Sequence, residues 1–362
     1  MHKLKALICK IIKILSDLIG MKKTILWFAK YTGMFSLCRW LTRKQVRILA
    51  YHGIWLGEGH FGNFLYMSAS KFSERMNRIK KLGFPVLSLD EALNGRDKGV
   101  LPACPVVITI DDGWYSSYLY MLPELEKYNF SATLYQTTYY SEKQEPVYNV
   151  LIQYMIMTTA KNSLNLEDLG MTNDRVVDLS NISERAKILV KLQEYVDNLS
   201  AEFRGDFVSK IAKSLDADYK KIIEEKWFHL ASFEQVSDMG KRGMDVQLHT
   251  HRHRITMDGV DCLERELRDN QSRLEPLVAQ PLRHFCYPSG VYDKTVWPVL
   301  NANKVASATT TEPGFVNSRS HIYALPRILD GEEISDLDFE AELSGVGEVK
   351  RQLVGFFKKV EM

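Results

Sequence analysis

Short, continuously apolar runs alternate with helical patterns along most of this chain. Helical patterns occupy residues 70–82, 117–128 and 259–279. Apolar character that continues along a run, instead of alternating, is typical of parallel strands covered on both faces. The pattern therefore predicts a βαβ barrel or a doubly wound sheet. The runs are Val46–Tyr51, Pro85–Ser88, Val106–Ile110, Ala132–Gln136, Met244–Leu248, His284–Tyr287, Val305–Thr309 and Ala324–Ile328.

One interval, between the runs at 132–136 and 244–248, is far longer than a crossover helix needs. It carries helical signals, and we interpret about 141–228 as a helical insertion. The predicted organisation is a basic N-terminal segment (1–45), a barrel (46–330) and a C-terminal tail (331–362), which is a terminal helix or a frayed end. The helical signals of the insertion lie at 147–160, 183–200, 202–214 and 217–226.

Charge is unevenly distributed along the chain. Residues 1–47 carry eleven basic groups and one acidic group, a net charge of +10. The remaining 36 basic and 44 acidic residues give −8. Because the basic charge is confined to a segment rich in apolar residues, nucleic-acid binding is not expected. Five scattered cysteines without a C-x-x-C spacing predict neither a disulfide framework nor a thiolate zinc site, which fits a reducing compartment.

The basic N-terminal segment leaves two interpretations open. Lysines interrupt its apolar runs, so neither a transmembrane helix nor a cleaved signal peptide is expected. A stretch such as 4–19 fits an amphipathic helix in the interface of an anionic membrane. It fits equally a helix on the outside of the barrel with a solvated basic face. We therefore expect the protein in the cytoplasm or on the cytoplasmic face of the membrane.

Two runs end in residues that bind metals. The run Val106–Ile110 continues into Asp111-Asp112-Gly113, a sequence that alone is more often a turn. Met244–Leu248 continues into His249 and, four residues later, His253, which share one face if the chain turns helical. Strand ends of a barrel meet at one face, where a carboxylate and two imidazoles form an open zinc site. A single histidine would more often be structural.

A third run ends in Tyr287-Pro288-Ser289-Gly290. Proline and glycine predict a turn here, whose backbone N–H groups either point into the site as an oxyanion hole or simply end the strand. The turn lies at the same predicted rim as the metal ligands. We therefore include Tyr287, Pro288 and Ser289 as candidate substrate-binding residues.

Together these residues resemble the polysaccharide deacetylase family, carbohydrate esterase family 4, whose shared unit is the NodB homology domain. The resemblance extends from about Arg47 to Leu329, apart from the insertion. Thr109–Gly113 is similar to the T-F-D-D-G motif, and His249–His253 to H-[ST]-x-x-H. Phe285–Gly290 resembles F-x-Y-P-x-G. Three shorter segments extend the match, namely Tyr51-His52-Gly53-Ile54, Leu87–Leu93 and Leu325-Pro326-Arg327-Ile328.

The resemblance implies a distorted (β/α)7-type barrel and a role for each residue. Asp111 would be the general base, and Asp112, His249 and His253 would hold one divalent ion. Zinc is the first choice, with nickel, cobalt, iron and manganese as alternatives. The implied reaction removes the N-acetyl group of an amino sugar in a surface polysaccharide or its lipid-linked precursor.

Three positions depart from the commonest pattern of the family. Leu325-Pro326-Arg327 replaces the C-terminal Leu-x-His that supplies the acid, so the resemblance assigns the acid to His52, as in the branch that opens with Y-H. Cys286 occupies the place of a base-orienting arginine, for which Arg327 is the candidate substitute. Ser289 replaces an aromatic residue.

Two other functions remain open at this point. The same metal set would serve an amidohydrolase that acts on a formamido sugar or a small non-sugar amide. A non-catalytic carbohydrate-binding protein is the second alternative, because of Cys286 and the missing C-terminal histidine. Acetate and formate release distinguish these alternatives from the deacetylase.

Overall fold

A computed structural model of the chain describes residues 21–171, 176–255 and 260–360. The strands in these residues fall into a barrel and two small pairs. In chain order they are β1 (Arg47–Tyr51), β2 (Gly53–Ile54), β3 (Tyr66–Met67), β4 (Val106–Asp112), β5 (Thr133–Gln136), β6 (Ser163–Asn165), β7 (Val176–Asp178), β8 (Asp245–Leu248), β9 (His284–Cys286), β10 (Ser307–Pro313) and β11 (Leu325–Leu329).

Seven parallel strands close into a barrel in the order β1-β11-β10-β9-β8-β5-β4. Every residue of β1 and β4 is buried, as their continuous apolar sequences predict. Seven of the eight predicted runs form these strands, and the expected (β/α)7-type barrel is confirmed. All seven strands point the same way, so their C-terminal ends share one rim.

The eighth run, Pro85–Ser88, was predicted as a strand, and this prediction is wrong. It forms a single bridge, between Val86 and Val106. The strand β4 that it touches pairs with β5 only from Thr109 onward, so Val86 meets β4 at its beginning. In addition, Ser88 caps the helix that follows, through a reciprocal pair of hydrogen bonds with Glu91. The chain therefore leaves the extended conformation before a ladder forms.

Helices surround the barrel and form the insertion. Residues 21–31 are helical (α1). Those that follow are α2 (Met34–Leu41), α3 (Ala69–Lys81), α4 (Leu89–Lys98), α5 (Leu122–Tyr128), α6 (Tyr139–Lys143), α7 (Tyr148–Thr158), α8 (Ile182–Asn198), α9 (Ala201–Ser214), α10 (Tyr219–Glu224), α11 (Phe233–Lys241), α12 (Val260–Leu274), α13 (Trp297–Ala302), α14 (Asp336–Leu343) and α15 (Val346–Val360).

The interval between β5 and β8 contains α6–α10 and the antiparallel pair β6–β7, and it has its own apolar core. This core includes Leu151, Leu192 and Val208. It meets the barrel rim at an aromatic cluster in which Trp55 contacts Tyr154 and Trp227. The insertion is thus packed beside the strand ends that carry the candidate site.

The N-terminal segment and the tail pack on each other outside the barrel. Phe35 and Cys38 of α2 are buried, and Lys22 and Lys30 of α1 form ion pairs with α14. The predicted stretch 4–19 lies outside the described residues. Within the described ranges, each helix is too short or too polar to span a bilayer.

Candidate metal centre

The two carboxylates of the site leave the barrel at the end of β4. Asp112 has a φ of 70° and Gly113 a φ of 86°, so the chain turns sharply there. A Cβ atom on Gly113 would lie 2.0 Å from the side-chain oxygen of Gln136. Glycine is therefore required by both the backbone conformation and the available space.

Asp112, His249 and His253 converge at this rim. Asp112 Oδ1 lies 3.2 Å from Nε2 of His249 and 3.2 Å from Nε2 of His253. The three ligand atoms lie within 4.8 Å of one another. The same Oδ1 is buried without a hydrogen-bond partner among the described residues. A buried carboxylate oxygen that faces two imidazole nitrogens fits a divalent cation.

Neighbouring groups orient these three side chains. The Nδ1–H of His249 donates to the backbone carbonyl of Cys286 at 2.8 Å, which leaves the Nε2 lone pair for a metal. Trp114 Nε1–H donates to Asp112 Oδ2 at 2.9 Å. Burial alone would raise the pKa of Asp112, but His253 and His249 hold that pKa well below its usual value. Asp112 is thus an ionised ligand.

A second group, Asp111, His249 and Cys286, also lies within 4.8 Å. It is the poorer metal site for two reasons. Asp111 is already engaged by an arginine, as described next. Burial also raises the pKa of the Cys286 thiol, and a protonated thiol does not bind zinc.

Asp111 and Arg327 form a buried bidentate ion pair. Nη1 lies 2.8 Å from Oδ1, and Nη2 lies 2.7 Å from Oδ2. Arg327 also donates to the Cys286 sulfur at 3.2 Å, and this sulfur lies 3.5 Å from Asp111 Oδ2, so the thiol packs beside the ion pair. Burial would raise the pKa of Asp111, but Arg327 lowers it overall. The structure thus places Arg327 where a base-orienting residue is needed.

His52 follows β1 directly and faces the same carboxylate. Its Nε2 lies 3.7 Å from Asp111 Oδ2, and its side chain is 15% exposed. Burial lowers the pKa of His52 in spite of the nearby charges of Asp111 and Asp112. His52 is therefore neutral between a carboxylate and the rim of the barrel.

The turn after β9 has the predicted shape. Pro288–Gly290 is a 3₁₀ turn, with a φ of 56° at Ser289. The N–H groups of Tyr287 and Gly290 donate to backbone carbonyls within the protein. The Tyr287 side chain is buried against Tyr292. Of the three predicted substrate-binding residues, Tyr287 and Pro288 are buried in the turn, and Ser289 is exposed.

Sequence reasoning missed two supporting residues. Trp114 follows the Asp-Asp-Gly sequence directly, and its place beside the motif is a signal that could have been used. Asn270 of α12 is buried and accepts a hydrogen bond from the His249 backbone N–H at 3.0 Å. Its helix follows the His249–His253 motif but contains none of the residues that carry the resemblance. No pattern in the sequence indicates this contact.

Comparisons with known proteins agree with this geometry. The family model described as polysaccharide deacetylase matches residues 218–308, which contain His249, His253 and the turn at 287–290. The resemblance to polysaccharide deacetylases is confirmed. The polysaccharide deacetylase model does not extend to Asp111 and Asp112, which are joined to the matched region by the barrel. No curated protein matches the chain.

Solved structures show the same fold. The deacetylase PplD of Streptococcus pyogenes, solved in complex with acetate, is 19% identical with a TM-score of 0.54. That match covers 82% of this chain and 97% of PplD. IcaB from Ammonifex degensii is 14% identical with a TM-score of 0.51, and the match covers 83% of this chain and 97% of IcaB. The polysaccharide deacetylase barrel is therefore present over most of the chain.

Proposed function

We propose that this protein is a metal-dependent deacetylase that hydrolyses the N-acetyl group of an amino sugar in a surface polysaccharide or its lipid-linked precursor. One observation carries the proposal. Asp112 Oδ1 faces two imidazole nitrogens at 3.2 Å, next to a carboxylate fixed by Arg327. Asp112 and the two imidazoles would hold the ion, and Asp111, held by Arg327, is a preorganised base.

In the proposed reaction, Asp111 removes a proton from the attacking water. Its two oxygens are held by Arg327, so the carboxylate is already oriented before substrate arrives. When bound, a divalent ion would lower the pKa of water and polarise the amide carbonyl. The Ser289 N–H at the rim stabilises the developing oxyanion.

His52 supplies the acid in this proposal. A departing amine needs a proton, and neutral His52 must first gain one. Asp111, with Oδ2 at 3.7 Å, is the source of this proton after it has deprotonated water. His52 then donates the proton to the amine nitrogen as the C–N bond breaks, and acetate and a free amine result.

Metal reconstitution with product analysis tests the proposed activity. The chelated protein should release no acetate from N-acetylglucosamine oligomers or lipid-linked sugars, and zinc should restore release in proportion to bound metal up to one ion per chain. Nickel, cobalt, iron and manganese are compared in the same assay. Formate release from formamido sugars without acetate release would instead support the amidohydrolase. Metal and sugar binding without any product would support the non-catalytic alternative.

We also propose that the N-terminal helices rest on the cytoplasmic face of an anionic membrane. Between Met21 and Leu41 an apolar face is exposed, in which Phe28 and Tyr31 are 71% and 77% exposed. Trp27, Met34, Leu37 and Trp40 extend this face. Aromatic residues interleaved with lysines are typical of helices that lie in a membrane interface. Another side of α1 carries Lys22 and Lys30, which form ion pairs with α14.

Vesicle flotation tests the membrane contact. The protein should float with phosphatidylglycerol vesicles, less with phosphatidylcholine vesicles, and less at high salt. Replacement of Trp27, Phe28 and Tyr31 by serine should weaken binding at least about 10-fold, because large apolar side chains lose their burial in lipid. The matched control replaces the exposed residues Ile182, Val190 and Phe203 of the insertion by serine. Equal losses in both variants would contradict the proposed surface.

A further inference from the structure

A cavity of about 700 Å3 lies between α1 and the outside of the barrel. Its wall includes Ile25 and Leu26 of α1, Ile328 and Leu329 of β11, and Phe339 of α14. This volume lies within the range of small-molecule sites, ~300–1,000 Å3. Most of the exposed surface of the wall is apolar, and charged residues also line it, namely Lys22, Asp330, Asp338, Glu342, Lys350 and Arg351.

A second cavity, of about 220 Å3, lies beside His52 at the rim of the barrel. His52 lines it, and His52 is 3.7 Å from the proposed base Asp111. Leu329, Asp330 and Ile334 line both cavities. The two cavities therefore adjoin along residues 329–334, and the smaller one reaches His52.

We infer that the larger cavity binds the hydrocarbon chain of a lipid-linked amino sugar, while the smaller cavity leads its sugar to the metal centre. The inference rests on the proposed function and selects the lipid-linked precursor over the finished polymer. It follows from the order of the surfaces: an apolar cavity, a shared wall at Leu329 and Ile334, and then the catalytic His52. A polar polysaccharide would leave the apolar cavity unused.

The position of α1 favours a lipid over another occupant. Ile25 and Leu26 line the cavity, and Trp27, Phe28 and Tyr31 of the same helix form the exposed face proposed to contact the membrane. The hydrocarbon chain of a lipid in the bilayer therefore enters the cavity beside α1, the helix proposed to contact the bilayer.

A second copy of this protein is disfavoured by charge. A symmetric contact through this face would bring two segments of the same basic charge together, since residues 1–47 carry eleven basic groups and one acidic group. An anionic lipid surface has the complementary charge.

Ion pairs hold the wall in place. Lys22 Nζ lies 2.6 Å from Asp338 Oδ1, and Lys30 Nζ lies 2.8 Å from Glu340 Oε2. Both carboxylates belong to α14, which forms the opposite wall.

Calorimetry with alkyl glycosides tests the inference on the zinc-loaded full chain. The probes are the methyl and octyl glycosides of N-acetylglucosamine, below the concentration at which micelles form and without vesicles. Each fully buried methylene contributes about 4-fold in Kd. Because burial in an open cavity is partial, we expect the octyl glycoside to bind at least about 10-fold more tightly.

Paired variants assign this preference to the cavity. The variant Ile25→Asn/Ile334→Asn places amides on the cavity wall, so the Kd ratio of the two glycosides should fall toward one. The control variant Ile182→Asn/Val190→Asn changes exposed side chains of the insertion and should keep the wild-type ratio. The inference would be overturned if the cavity variant kept the wild-type ratio of the two Kd values. It would also be overturned if this ratio fell equally in the control variant.

Acetate release from both glycosides is measured separately. Acetate release combined with equal Kd values for methyl and octyl glycosides overturns the lipid site alone. Tighter octyl binding without acetate release supports the lipid site and overturns the proposed catalysis alone. Light scattering tests whether a second copy of this protein occupies the cavity instead. A dimer that the cavity variant dissociates, with no preference for the octyl chain, overturns the inference in favour of a second copy.

Discussion

The variant Asp111→Asn should lose acetate release by about 10²–10⁴-fold in kcat while it still binds one zinc ion. The change removes the proposed base but leaves Asp112, His249 and His253, whose ligand atoms are oriented by other groups. Steady-state kinetics and metal analysis on the same preparation provide the two measurements. Turnover near the wild-type value with full metal content would show that Asp111 is not the base.

The variant His52→Asn distinguishes the proposed role of His52 as the acid from that of Asp111 as the base. An amine needs protonation to depart, but p-nitrophenolate does not. We expect this variant to lose activity on the N-acetyl sugar and to retain most activity on p-nitrophenyl acetate. Asp111→Asn should lose activity on both substrates. If His52→Asn lost both activities equally with its metal in place, the assignment of the acid would be wrong.

Arg327→Met should reduce the free energy of unfolding by about 3–5 kcal/mol, the cost of leaving a buried charge without its partner. Arg327 is 1% exposed, and its guanidinium binds both oxygens of Asp111 at 2.7–2.8 Å. Methionine keeps much of the apolar volume and makes no ion pair. Urea denaturation measures the difference between the variant and the wild type.

The pH dependence of this difference has a defined sign. In the wild type the pKa of Asp111 is lowered, so its stabilising contribution is present above the unfolded pKa and is lost as pH falls through the folded pKa. In Arg327→Met, burial without the arginine raises that pKa, so protonation on acidification relieves the penalty. The difference between the two proteins should therefore shrink at low pH.

Two further variants control for a general effect of losing an arginine. Arg268→Met removes an exposed pair with Glu264 and should cost less than about 1 kcal/mol. The double variant Asp111→Asn/Arg327→Met removes both charges, and it should be more stable than Arg327→Met alone. A cost below 1 kcal/mol for Arg327→Met would contradict a structural role for this pair.

Much of the barrel follows from local sequence. Seven runs of continuous apolar residues are the seven barrel strands, because a strand covered on both faces needs no polar side. Pro85–Ser88 was also predicted as a strand but forms one bridge, since Ser88 already caps the helix α4. The apolar composition of a run predicts that its residues are buried. The availability of a pairing edge is a property of the assembled sheet.

The candidate metal set could be predicted from local sequence, because Asp112, His249 and His253 follow predicted strands. The groups that support this set are brought to it by the assembled fold. Pairing of β1 with both β4 and β11 brings Arg327 to Asp111, and pairing of β8 with β9 brings the Cys286 carbonyl to His249. The assembled fold also decided that α1 exposes one apolar face and lines a cavity with the other. Such contacts join residues far apart in the chain, and their geometry depends on the packing of whole elements, which no local pattern encodes.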